Sequence, residues 1–241
     1  MKYLSRRDLE AIAARVVRAY WRIPNAQNEP SRIVPEVLLT EMLGLTIDYR
    51  HLSKNRQTLG MTCFSETGVE VFDSPLEDFF FLDGKSVLIE EDLKNPTAVP
   101  GRRNFTIMHE GCHHVLYMLF PEDYREGISA RRVLVYRDTG NNAAYDYWVE
   151  WQTDTLASAI LMPPDLLRTN MALCGIPSGV SILNQRWRPR EYEKFTLLSE
   201  MMGVSKQALS IRLKQFGLIG RDDRSYPNSL LDIFKEDDEI D

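Results

Sequence analysis

The segment spanning residues 103–119 carries the motif that most constrains this chain, because His109, Glu110 and His113 form the pattern H-E-x-x-H. On a helix, residues four apart lie on one face, so the two imidazoles can take two corners of a tetrahedral zinc site. Glu110 lies about 100° round such a helix. A carboxylate there can accept a proton from an activated water and pass it to a leaving amine. The motif is short, and a structural pair of histidines is the alternative interpretation.

The same segment predicts a buried helix. Residues 105–120 contain no proline, Asn104 can serve as the N-cap, and apolar side chains surround the helix nearly all round. Gly111 costs a helix up to about 1 kcal/mol relative to alanine, which indicates that something packs closely against that turn. Buried histidines and a buried glutamate need polar partners, and a metal ion is the simplest one.

A second stretch, residues 146–162, predicts another helix that ends at Pro163 and Pro164. Glu150 and Asp154 are four residues apart and share one side of it. They are either two surface acids or parts of the metal site. In the second interpretation Glu150 is the third zinc ligand, as in catalytic sites built from two histidines and a glutamate. Asp154 then accepts a hydrogen bond from the far nitrogen of a ligand imidazole.

Together the two stretches resemble the ImmA/IrrE family of zinc metallopeptidases. The family pattern is roughly R-x-F-T-x-x-H-E-x-x-H, followed by a helix with E-x-x-A-[ND] that ends in L-M-P. This chain reads RNFTIMHEGCH from residue 103 and EWQTDTLASAILMP from residue 150. Thr153 stands where the family usually has alanine, and Gly111-Cys112 replaces the commoner Leu-Gly. The resemblance covers residues 86–163 strongly and the flanks loosely.

The resemblance implies a zincin-like metallopeptidase core that binds Zn²⁺ through His109, His113 and Glu150, with Glu110 as the general base. It implies an endopeptidase whose protein substrate is a DNA-binding repressor of the helix-turn-helix type, often from a mobile element. Cleavage or removal of that repressor would switch genes on, for example in a stress response.

Several neighbouring side chains are further candidates for the site. His114 and Cys112 could act as alternative ligands, or else as a supporting histidine and a small buried thiol. His51 is a lone histidine in a predicted strand, far from the motif. An electrophile for the developing oxyanion is also expected in such an enzyme. The candidates for it are Tyr117, Tyr145, Tyr147 and the arginines Arg125, Arg131, Arg132 and Arg137.

Composition limits the other classes of function. The chain has 241 residues, a net charge of −6 and a pI near 5.4, so it is no general binder of polyanions. Cys63, Cys112 and Cys174 follow no disulfide framework, which indicates a reducing, cytosolic setting. The first residues lack the apolar core of a signal peptide, and no apolar run approaches the ~20 residues that span a bilayer. We therefore expect a cytoplasmic protein without membrane contact.

Hydrophobic periodicity predicts an α+β fold. A first helix at residues 5–21, with Ser5 and Asp8 as a capping pair, and a second at 35–43 precede a β-rich block. The predicted strands are residues 45–52, 60–65, 69–72 and 86–90. We expect a small twisted sheet before the metal helix. Its last strand, 85–91, either offers an edge for an extended peptide or is an ordinary paired strand.

Beyond this core, residues 121–145 form a polar connection with one short predicted strand at 132–137, and it is either a substrate-contacting lid or a surface excursion. A short helix follows at 164–174. We divide the chain into a metallopeptidase domain at 1–183, a helical element at 184–224 and an acidic tail at 225–241.

The helical element has the shape of a helix-turn-helix, with helices at 190–200 and 205–215 and Ser205 as a cap. It holds nine Lys or Arg and five acidic residues, a local charge of +4. A DNA-reading unit would use Lys206, Gln207 and Arg212 on an exposed face. If these helices bind DNA, the chain is a transcription regulator whose zinc site is structural or sensory. Alternatively the helices pack on the core, or the chain is a protein-binding module with a vestigial site.

Overall fold

The computed structural model describes residues 3–73, 78–95, 100–122, 134–137 and 144–221 and has the predicted α+β class. Its helices are α1 (Arg6–Tyr20), α2 (Pro35–Val37, continued by a π-helical turn at Leu38–Met42), α3 (Pro100–Leu119), α4 (Ala144–Leu161), α5 (Pro164–Leu173), α6 (Pro189–Met201) and α7 (Lys206–Gln215). Two 3-10 turns lie at Pro24–Asn28 and Glu91–Lys94. The strands are β1 (Thr46–Arg50), β2 (Thr58–Thr62), β3 (Glu66–Val71), β4 (Asp78–Asp83), β5 (Ser86–Glu90), β6 (Leu134–Arg137), β7 (Val180–Ile182) and β8 (Ile219–Arg221).

The main sheet has four strands in the order β1-β5-β2-β6. β1 runs parallel to β5, whereas β2 runs antiparallel to both β5 and β6. β5 is buried at every position and has a neighbour on each side. The suggestion that residues 85–91 offer a free edge is therefore wrong, and the alternative of an ordinary paired strand is confirmed. A strand that is buried on both faces has an almost continuous apolar sequence. Such a sequence does not show whether the strand has one hydrogen-bonded neighbour or two.

β3 and β4 form a separate antiparallel hairpin in which Glu66 lies opposite Asp83. Alternation along the strands buries Val69, Val71 and Leu82 in a small apolar cluster of their own. β4 is absent from the predicted strands, because three consecutive phenylalanines at 79–81 hide the period of two on which strand prediction depends. The short parallel pair β7 and β8 was also missed, since each strand has only three residues.

The predicted capping residues are confirmed at the start of α1 but not at the start of α3. Ser5 and Asp8 form the predicted capping box at the start of α1. α3 begins at Pro100, a residue type that suits the first turn because its missing N–H needs no partner there. The prediction that Asn104 caps this helix is therefore wrong. Asn104 lies one turn inside α3 and is buried.

The turn between α6 and α7 packs directly on the first turn of α3. The Asn104 side-chain amide donates to the carbonyl of Gly203 at 2.8 Å. A Cβ atom added at Gly101 would overlap the backbone of Ser205, so only glycine allows this approach. Ser205 caps α7 as predicted. The start of the helix that carries the H-E-x-x-H motif is thus held by the C-terminal helices.

Arg212 of α7 is buried, which corrects its predicted place on an exposed DNA-reading face. Its guanidinium pairs with Glu10 of α1, and its Nε donates to the carbonyl of Met162 at 3.1 Å. The sequence does not reveal the burial of Arg212, because its positive charge is neutralised by Glu10, which is 202 residues away in the chain. Lys206 and Gln207 are exposed, as predicted.

One continuous apolar core extends from Leu4 to Leu213 and includes residues of all the long helices and of the main sheet. α1 packs along α4, and α4 packs along α3. Among the residues that the structure describes, no helix combines the length and the apolar character that a bilayer span requires.

Candidate metal centre

α3 and α4 lie side by side and bring three predicted ligands to one point. His109 and His113 of α3 are completely buried, and their Nε2 atoms are 3.1 Å apart. Glu150 of α4 places Oε2 at 3.1 Å from His109 Nε2 and Oε1 at 3.6 Å from His113 Nε2. One ligand atom from each of the three residues lies within 4.8 Å of the other two.

These spacings fit a bound zinc ion. Two nitrogen ligands that bind zinc at about 2.0–2.1 Å with a tetrahedral angle lie about 3.3–3.4 Å from each other. The 3.1 Å between the Nε2 atoms of His109 and His113 is close to that value. Two unprotonated ring nitrogens at this distance repel unless a cation lies between them. Glu150 keeps 17% of its side chain exposed, so it is the one member of the group of three that is in contact with solvent.

The far ring nitrogens have partners that set the tautomers. Asp154 Oδ1 lies 2.9 Å from His109 Nδ1, which is the contact predicted for it. Thr153 Oγ1 lies 3.3 Å from His113 Nδ1, and its hydroxyl donates to the carbonyl of Val149 at 2.9 Å. Because that hydroxyl has only one proton, it accepts at His113, which leaves Nε2 of His113 unprotonated and facing the centre.

Thr153 was not predicted as a site residue. The sequence showed only that it replaces the usual alanine of the resembled family. Its signal was its position one residue before Asp154, on a helix face that also carries Glu150. A buried threonine there supplies an oxygen that alanine lacks.

The charges of these groups are strongly coupled. Burial disfavours the charged form of His109, but the hydrogen bonds and charges of Asp154 and Glu150 outweigh it and raise the pKa of His109 to about 10. At His113 burial dominates and lowers the pKa to about 3. Burial would raise the pKa of Glu150, yet the two histidines hold it below its ordinary value. The cluster therefore favours one positive charge between the rings and the carboxylate, which a proton or a metal cation can supply.

The charge of Glu110 is coupled to those of His109 and Glu150, and neither of its carboxylate oxygens has a hydrogen-bond partner among the described residues. It is fully buried. Burial raises the pKa of Glu110 to about 8, with a smaller opposing effect of His109 and a further increase from Glu150. A buried carboxyl group without a partner is costly in a folded protein. Such a group is explained if it faces a cation and a water molecule when the site is loaded.

Two glycines allow this seating of α3. A Cβ atom at Gly60 of β2 would overlap the carboxylate of Glu110, so the strand leaves room for that group. A Cβ at Gly111 would lie 2.5 Å from Leu39 Cδ1, which confirms the predicted close packing at this turn. Gly60 was not predicted as a site residue, although an isolated glycine within a strand is a signal of close approach.

The other candidate ligands lie elsewhere. His114 Nε2 is 2.7 Å from Thr62 Oγ1, and burial lowers the pKa of His114 to about 4, so it is a neutral, supporting histidine. Cys112 is a buried thiol outside the group of three. His51 contacts Glu90 at 2.8 Å.

His51, Glu90 and Asp92 form a second group with metal-like spacing. Arg56 Nη1 also lies 3.2 Å from Glu90, and the backbone N–H of Leu52 donates to the same carboxylate. A cationic side chain at Glu90 disfavours a metal cation there, so we assign this group to a structural ion pair.

The oxyanion partner stays a prediction. The ring of Tyr117 stacks on Phe64 at 4.4 Å, and Tyr147 is exposed on α4, one turn before Glu150. The side chain of Tyr145 falls outside the described residues. The same holds for Arg125, Arg131, Arg132 and Arg137, and for the acidic tail at 225–241.

Comparison of this chain with models of known protein families gives no match. Comparison with curated proteins gives no match either.

Proposed function

We propose that this protein is a zinc-dependent endopeptidase with a zincin-like core, of the type in which two histidines and a glutamate hold the metal. The observation that carries the proposal is the convergence of His109, His113 and Glu150, whose ligand atoms lie within 4.8 Å of one another. The spacing suits three corners of a tetrahedron, and three protein ligands with an open fourth position are typical of catalytic zinc sites.

The remaining side chains have distinct roles in this proposal. Zinc bound here would supply a Lewis acid that polarises a carbonyl group and lowers the pKa of a water molecule. Glu110 accepts a proton from this water molecule as the water attacks the peptide carbonyl, and then delivers the proton to the departing amine. Asp154 and Thr153 orient the rings of His109 and His113.

Glu110 favours a catalytic centre over a structural zinc site. A structural site is closed by four protein ligands and has no use for a further acid. Here an acid adjoins a ligand in the sequence, both of its oxygens lack a partner within the described part of the chain, and a strand glycine leaves space for it. Keeping an unpaired carboxyl group in the core lowers stability, so its retention indicates a functional role.

We further propose a DNA-binding repressor of the helix-turn-helix type as the substrate, whose loss derepresses genes of a mobile element or a stress response. The support is the resemblance of both helices to the ImmA/IrrE pattern. The three cysteines are free and buried, which suits the reducing cytoplasm that such a substrate occupies.

The test combines metal analysis with cleavage of a repressor encoded near this protein's own gene. We expect about one zinc per chain in the wild type and in Glu110→Gln. Cleavage should fall by at least about 10²-fold in Glu110→Gln. Glu150→Gln should lose zinc. Glu200→Gln, a change to an exposed acid of α6, is the matched control and should cleave normally.

Two outcomes would contradict the proposal. Full turnover by Glu110→Gln would falsify the assignment of the general base. Zinc without cleavage of any candidate repressor would favour a protein-binding module with a vestigial site.

A second candidate function is DNA-binding regulation by α6 and α7, in a helix-turn-helix arrangement, with the metal centre structural or sensory. The exposed Lys206 and Gln207 support it, whereas the buried Arg212 weighs against it. Salt-dependent binding of a DNA duplex by the full chain, weakened by Lys206→Glu, is its test. If the full chain binds no DNA duplex at low salt, this second candidate function is excluded.

A further inference from the structure

The outward face of the β3–β4 hairpin exposes two large aromatic side chains. Phe79 is 60% exposed and Phe81 is 80% exposed. They are two residues apart on one strand and therefore point to the same side. The opposite side of the hairpin is buried through Val69, Val71 and Leu82, so the hairpin is anchored and presents the two rings outward.

The strand register places carboxylates beside these rings. Glu70 lies opposite Phe79, and Glu66 lies opposite Asp83. Asp83 is two residues beyond Phe81 on the same side of β4, and its Oδ1 accepts hydrogen bonds from the backbone N–H of Lys85 and from Ser86 Oγ, which leaves Oδ2 for a partner. Directly opposite residues have Cβ atoms about 4.5–5.5 Å apart, so rings and carboxylates are neighbours on one surface.

Gly68 completes this surface. It lies opposite Phe81, and an added Cβ atom there would be 3.4 Å from the Phe81 ring. The ring therefore lies beside the glycine, where no side chain covers it, and Phe81 stays 80% exposed.

The charge of this face has one sign. Glu66, Glu70 and Asp83 are acidic, and neither strand contains a lysine or arginine. The faces of aromatic rings attract cations, and carboxylates bind guanidinium groups in a bidentate manner. A partner that presents arginines between apolar side chains satisfies both features at once. A second copy of this chain paired face to face does not, because it would bring an identical acidic face.

We propose that the outward face of the hairpin, formed by Phe79, Phe81, Glu66, Glu70 and Asp83, is a docking surface for a basic protein segment in which arginines alternate with apolar residues. The arginines lie over the rings and pair with the carboxylates, and the apolar side chains contact the ring edges. This surface goes beyond the proposed peptidase activity and does not depend on it.

The test measures binding of a fluorescent eight-residue peptide of alternating arginine and leucine to the full chain in EDTA, where zinc-dependent cleavage cannot interfere. We expect saturable binding that weakens with salt. Phe81→Ser and the double change Glu66→Lys with Glu70→Lys should each weaken it at least about tenfold, the loss of roughly 1.4 kcal/mol. All three positions are exposed, so the fold is retained.

The controls separate this surface from general charge attraction. Leu173→Ser changes another exposed large apolar side chain, at the end of α5, and should bind the peptide as the wild type does. A peptide with glutamate in place of arginine should not bind. Equal binding by all variants, or equal binding of both peptides, overturns the proposal. So does concentration-dependent dimerisation in sedimentation that Phe81→Ser abolishes, since the face would then serve self-association. Failure of this binding leaves the cleavage test of Glu110→Gln unaffected.

Discussion

Replacing Glu110 by glutamine should make the metal-free protein more stable, although the same change abolishes turnover in the proposed mechanism. The buried carboxyl group has no hydrogen-bond partner among the residues that the structure describes, and burial raises its pKa to about 8. An acid with a raised pKa contributes stability that is present at low pH and is lost as the pH rises, because the unfolded chain releases the proton first. Glutamine has no proton to release.

The size of the effect follows from the two pKa values. A shift from the ordinary 4.5 to about 8 costs the folded state roughly 3 kcal/mol at pH 7 and roughly 1 kcal/mol at pH 5. The advantage of Glu110→Gln over the wild type should therefore grow by about 2 kcal/mol between these pH values. This difference does not contain the packing of the new amide, which is the same at both.

Urea unfolding in EDTA at pH 5 and pH 7 measures this free energy. Glu200→Gln, at an exposed position, should stay within about 0.5 kcal/mol of the wild type at both. An advantage of Glu110→Gln that is the same at pH 5 and pH 7 would refute the reasoning, since Glu110 would then titrate as it does in the unfolded chain.

Three further changes test the site. In the same urea unfolding assay, Gly60→Ala should lower stability by about 1–3 kcal/mol because its Cβ overlaps Glu110, whereas Gly68→Ala in the β3–β4 hairpin should be neutral or stabilising. Asp154→Asn should weaken zinc affinity about 10- to 100-fold in a chelator competition, since it disturbs His109; unchanged affinity would contradict its orienting role. Burial lowers the pKa of His114 to about 4, so the neutral ring destabilises the metal-free fold as the pH falls below 6.5. In urea unfolding, the free energy of unfolding of His114→Gln should therefore fall by about 2 kcal/mol less than that of the wild type between pH 7.5 and pH 5.

The candidate site was largely predictable because its groups follow local spacing. His109 and His113 lie one turn apart on one helix, and Glu150 and Asp154 lie one turn apart on another. Local spacing determines which side chains share a helix face. The remaining step is to place the histidine face of one helix against the acidic face of the other. The contact of Asp154 with His109 and the convergence of Glu150 with the histidines were both anticipated in this way.

The missed features depend on contacts that are distant in the chain. Gly60 matters because β2 passes Glu110, and Arg212 is buried because Glu10 lies beside it. Asn104 was misjudged as a cap because its partner, the carbonyl of Gly203, comes 99 residues later. Periodicity and capping rules describe one element at a time, so they contain no information about such pairs.

The ion pair between Glu10 and Arg212 has a consequence for biosynthesis. The two residues are 202 positions apart. A ribosome that adds roughly 5–20 residues per second needs about 10–40 s to deliver the arginine after the glutamate has emerged. Until then α1 lacks its ionic partner and α3 lacks the turn that covers its first residues. Newly made molecules therefore complete the support of α1 and α3 only late in translation, after most of the chain has emerged.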